Sequence, residues 1–126
     1  MSPVSAWIFH HRASLDAMSP LNFDGSDFLV GVAIVPGSTI REALDNFDAY
    51  LSENKMEVIA IWKCEQYHPK KFSEPTEENR TIALISAEVL EQKKSFYAWS
   101  TSEHALDDSE RDDNDFHLSS EYIYQS

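Results

Sequence analysis

"FLVGVAIVPGSTIREALDNFDAYLSENKMEVIAIWKCEQY", residues 28 to 67, decides the fold because its periodicity changes twice. Residues 28 to 35 are a continuous apolar run rich in β-branched side chains, the pattern of an interior strand covered on both faces. Pro36 and Gly37 end it. Thr39 followed by Glu42 has the spacing of a capping box, in which hydroxyl and carboxylate each satisfy a free backbone donor at a helix start. Ile40, Ala43, Leu44, Phe47, Tyr50 and Leu51 then recur at three- and four-residue intervals, while Arg41, Glu42, Asp45, Asp48 and Ser52 fall elsewhere on the wheel. Asn54 suits a helix end. From Met56 onward alternation returns, with Met56, Val58, Ala60, Trp62 and Cys64 on one face of a strand. The unit reads strand, helix, strand, and such a crossover between parallel strands is right-handed in nearly all cases.

Working outward, "SAWIFHH" at 5 to 11 alternates Trp7 and Phe9 against Ile8 and His10, as a short strand does. Residues 12 to 27 hold Pro20, Gly25 and several aspartates, and read as a long loop, a candidate lid, with a turn of helix near 15 to 18. After "HPKKFSEPTEEN" at 68 to 79, which reads as a polar loop with two prolines, residues 81 to 91 fit either period. Ile82, Ile85, Val89 and Leu90 suit a helix, whereas Ala83, Ile85, Ala87 and Val89 suit a strand. The strand reading is preferred, with "QKK" as the turn of a hairpin into "SFYAWSTS" at 95 to 102. The tail, "FHLSSEYIYQS", is expected to add a last strand. The sum is a single α+β domain over residues 1 to 126. It has an open, mixed sheet of about five strands and one long amphipathic helix, about 39 to 53, packed on one face in a ferredoxin-like or related two-layer sandwich.

The chain has 126 residues, 42% of them hydrophobic, and a formal net charge of −12 from 22 acidic and 10 basic side chains. It is too apolar for a disordered protein. Its field should repel nucleic-acid phosphates and anionic membranes and attract basic proteins. No stretch approaches the roughly 20 apolar residues that cross a bilayer. Cys64 is the single cysteine, so an intrachain disulfide is impossible and a cytoplasmic setting is expected.

Chemistry-bearing patterns are sparse. A metal or ligand pocket would have to join His10, Cys64 and His68, which a regular strand keeps apart, so no metal and no cofactor are expected. There is no "GxSxG" elbow, and "VPGST" lacks the glycines and lysine of a phosphate loop. No catalytic residue is assigned. Asp107, Asp108, Glu110, Asp112, Asp113 and Asp115 form a dense acidic run around Arg111. A calcium loop counted from Asp108 would need Gly and Glu where Asp113 and Ser119 stand. Residues 103 to 116 are therefore expected to form a mobile acidic loop that, with Tyr122 and Tyr124, contacts a basic partner. The strand aromatics Trp62, Tyr67, Tyr97 and Trp99 have the character of interface anchors, but aromatics are also good strand residues and the core reading is preferred for each. The expected function is a small acidic protein-binding domain, such as an immunity or inhibitor protein that neutralises a basic toxin or nuclease by occluding it. The alternatives are a ligand-binding or enzymatic module near His10, Cys64 and His68, with homodimerisation possible, and a nucleic-acid mimic.

Overall fold

The computed structural model describes residues 3 to 106. Its main elements run β1 (Ser5–Leu15), β2 (Phe28–Gly37), α1 (Ile40–Glu53), β3 (Met56–Gln66), α2 (Glu77–Gln92) and β4 (Phe96–Ser102), with a 3-10 turn at Pro69–Phe72. The α+β class is as expected. Among the described residues the sheet has four strands in the order β3-β1-β2-β4, and every hydrogen-bonded neighbour is antiparallel. The strand-helix-strand unit is present, but β1 lies between its two strands. This corrects the mixed sheet: β2 and β3 run parallel to each other without pairing. The connectivity ββαβαβ also differs from the ferredoxin-like βαββαβ order.

The alternation of β1 explains the layering. Phe9, Ala13 and Leu15 join Ala33, Val35 and the buried residues of α1, Ala43, Phe47 and Leu51, in one core cluster. Ala6 and Ile8 join Val32 and Ile34 with Ile82 and Val89 of α2 in another. Each helix therefore seals one face of the β1–β2 pair, which is why the apolar run at 28 to 35 needs no polar side. Gly37 permits the close approach of α1, since a Cβ there would lie 2.8 Å from the Ala43 nitrogen. The capping box forms with a variation. Thr39 Oγ1 accepts from the Glu42 N–H at 3.1 Å, while the Glu42 carboxylate accepts from the N–H of Ser38, one residue before the cap.

Three other expectations change. Strand β1 extends to Leu15, because Ala13 and Leu15 continue the buried alternation past His11. No helix forms at 15 to 18. Residues 81 to 91 belong to a helix, not a strand: Ile82, Ser86 and Val89 recur at helical spacing on the buried side. The helix starts inside the stretch taken as loop, where the Thr76 hydroxyl accepts from the Asn79 N–H at 3.1 Å. Lys93, in the left-handed conformation, caps the end of α2 instead of turning a hairpin. Among the described residues, no helix is long and apolar enough to cross a membrane. The expected last strand and the run from 107 onward lie outside the described residues.

Candidate interaction site

The residues singled out for ligand chemistry do not meet. His10 pairs with Lys63 across β1 and β3 and points toward the α2 side, whereas Cys64 pairs with Phe9 and packs against the α1 cluster. His68 is exposed at the head of the 3-10 turn. Among the described residues no group of three or more His, Cys, Asp or Glu side chains could hold a metal ion. Burial, then the Lys63 charge, lowers the His10 pKa, and burial raises that of Cys64, so neither its thiol nor its surroundings resemble an activated nucleophile.

A polar group that the sequence reading did not single out lies under α1. His11 is fully buried, with Nδ1 3.0 Å from the Phe9 carbonyl and Nε2 2.7 Å from the Tyr97 hydroxyl. A carbonyl only accepts, so Nδ1 carries the proton and Nε2 accepts from Tyr97. Burial lowers the His11 pKa to about 4, which keeps this neutral tautomer in place. Burial raises the pKa of Tyr97, and Tyr50 adds to it; Tyr50 is also raised by burial. All three rings are held neutral near pH 7, as a packed polar core requires. Phe47 stacks on Phe9 at 4.6 Å and meets His11 edge-on at 4.7 Å, so the same residues that satisfy His11 lock α1 onto the sheet. Only the sequence position of His11, on the Phe9 face of the strand, hinted at this.

Tyr50 also borders a shallow cleft of about 530 Å³ with Asn46, Glu53, Lys93, Lys94 and Ser95. Asn46 is committed to the Pro36 carbonyl at 2.7 Å. The remaining polar groups bring no acid-base pair with opposed environments.

The loop taken as a lid is tied down. Residues 16 to 27 connect β1 to β2, and the Asp24 carboxylate accepts from the Ser26 N–H and hydroxyl and from the Ser102 hydroxyl at the end of β4. Those bonds, Ser102 first and Ser26 second, hold the Asp24 carboxyl below its usual range. The Glu103 carboxylate accepts from the Asp27 N–H, and the Ser26 hydroxyl accepts from the His104 N–H. Thus residues 103 to 106, expected to open the acidic loop, form a helical turn fastened to the 16 to 27 segment. Asp107, Asp108, Glu110, Asp112, Asp113, Asp115, Tyr122 and Tyr124 lie outside the described residues. Tyr97 and Trp99 are half-buried in the two cores, and Tyr67 stacks on Phe72.

Two surfaces stand apart from this closed interior. On α1, Ile40 is 49% and Leu44 38% exposed, one helical turn apart, beside exposed Asp45 and Asp48. The ion pairs among the described residues converge on Glu65, leaving Asp45 and Asp48 without one. On β3, Glu57 to Ile61 are exposed without interruption, with Ile59 the most open of the three large apolar residues at 55%. This strand is at the sheet edge, and its pairing with β1 skips Ile59 and Trp62 as bulged residues. No family model, curated protein or solved structure matches the chain.

Proposed function

We propose that the chain is an acidic protein-binding domain that docks a basic protein against the outer face of α1, as an immunity or inhibitor protein occludes a cationic toxin or nuclease. The observation that carries this reading is the exposed Ile40 and Leu44 pair beside Asp45 and Asp48, which have no ion-pair partner among the described residues. Apolar anchors gain from leaving water, and carboxylates around them gain once a cation replaces the solvent. The opposite face of α1 is fixed by Phe47, so this outer face is offered with little ordering left to do on binding. The net charge of −12, of which the run from Asp107 to Asp115 carries −5, supplies the long-range attraction. A reducing, cytoplasmic setting suits the single free Cys64.

The test is capture of partners from an extract of the source cells by the immobilised wild-type chain and by a Leu44→Arg/Asp48→Lys variant. A basic protein should be held by the wild type, more weakly as salt shortens the Debye length below about 8 Å, and not by the variant. Identical captured sets from the two chains would overturn the reading. Release of that protein by added duplex DNA would assign the same face to nucleic-acid mimicry.

A further inference from the structure

We infer that β3 is a self-complementary edge through which two copies of this chain pair, antiparallel and two-fold symmetric about Ala60, joining their sheets into one. This surface is separate from the outer face of α1. Strand β3 bonds to β1 on one side, and among the described residues no strand occupies the other. Residues 57 to 61 are exposed on both faces, so neither helix overhangs the approach of a second strand. Their sequence, Glu-Val-Ile-Ala-Ile, is the β-branched, apolar composition that edge strands usually avoid or blunt with charge.

The pleat and the charges select the register. Pairing with β1 places Glu57, Ala60, Lys63 and Glu65 on the α2 side, and Met56, Val58, Ile61 and Cys64 on the α1 side. Directly opposed residues of an antiparallel pair share a face. A two-fold axis at Ala60 sets Glu57 against Lys63 and Met56 against Cys64 of the second copy, and each pair matches in face. An axis at Ile61 also matches faces, but sets Glu57 against Glu65, a repulsive pair. Local ion pairing favours the first arrangement. Glu65 holds two cations, Lys63 at 3.3 Å and Lys71 at 2.9 Å, whereas Glu57 holds none among the described residues. Lys63 can turn to Glu57 of the second copy while Lys71 keeps Glu65 neutralised. The bulges at Ile59 and Trp62, which often spoil an edge, here create the three-residue spacing of Glu57, Ala60 and Lys63 that makes the edge match itself. Contact along one strand buries less than a standard interface, so the dimer is expected to be weak and concentration-dependent.

Sedimentation of the full chain over a hundredfold concentration range tests the pairing, with circular dichroism confirming the fold of each variant. The wild type should pass from monomer to dimer. Glu57→Lys and Lys63→Glu should each weaken the dimer by about tenfold, because two symmetric like-charge pairs replace two attractive ones, and the double exchange should recover most of the loss. In a Cys64→Ser background, Ala60→Cys should form a disulfide-linked dimer on oxidation, and Ile61→Cys should not. A chain that stays monomeric throughout would overturn the proposal. So would a dimer insensitive to both charge reversals, or one cross-linked through position 61 instead of 60.

Discussion

Strands β1 and β3 are partners of equal length, eleven residues each, yet one is largely buried and the other is the most exposed strand among the described residues. Both carry enough apolar residues to be core. In β1, Ile8, Phe9, His11 and Ala13 are fully buried, and a helix covers each face. In β3, only Met56 is buried, and Ile59 is more than half exposed. The difference lies in position. A strand with neighbours on both sides is reached by both helices, while an edge strand extends past them. Hydrophobicity specifies that a residue gains from burial, and topology decides whether the burial comes from this chain or from another.

The sharpest contrast should come from truncating a ring in the enclosed strand. Phe9→Ala removes the stack on Phe47 and opens a cavity, and should cost about 3 to 5 kcal/mol in urea unfolding. The buried imidazole of the same strand comes next. In the unfolded chain His11 protonates around pH 6.5, whereas in the folded chain it resists until about pH 4. The group is neutral in both states above pH 6.5 and costs nothing there. As pH falls from 6.5 to 4, the unfolded state takes up the proton first, and stability drops by roughly 3 kcal/mol in total. Stability against pH for the wild type and a His11→Gln variant, compared as a difference, isolates this slope from the carboxylates. A flat difference would mean that His11 is not held neutral by the fold.

Tyr97→Phe leaves His11 Nε2 as a buried acceptor without a donor and should cost about 1 to 3 kcal/mol by the same unfolding assay. Gly31→Ala belongs in the same range. A Cβ at Gly31 would meet the Trp99 carbonyl at 2.7 Å, so β4 must shift to admit it, at about 1 to 3 kcal/mol.

The parts legible in the sequence were those where a local signal and the tertiary outcome agree. Thr39 and Glu42 mark the start of α1, its periodic residues mark the buried face, and the apolar run of β2 marks the sheet centre. Residues 81 to 91 were ambiguous because Ile85 and Val89 satisfy both periods. The deciding signal was the Thr76 cap, hidden in a stretch whose two prolines and glutamates read as loop, although two glutamates in a first helical turn favour the helix dipole. Strand order was not legible, since nothing in residues 28 to 67 says that a third strand will lie between the two they form. For the same reason the candidate sites divided unevenly. Whether His10 and Cys64 share a face depends on the pairing of β1 with β3, which puts them on opposite faces. The exposure of residues 57 to 61 follows only from the edge position of β3.

The central claim is that the apolar segment of β3 serves association and not folding. It is tested most directly by the unfolding free energy of Ile59→Lys, measured in urea at a dilution where the chain is monomeric. The account predicts a value within about 0.5 kcal/mol of the wild type, as for a surface substitution. A loss of about 2 kcal/mol or more, the cost typical of a core position, would contradict it.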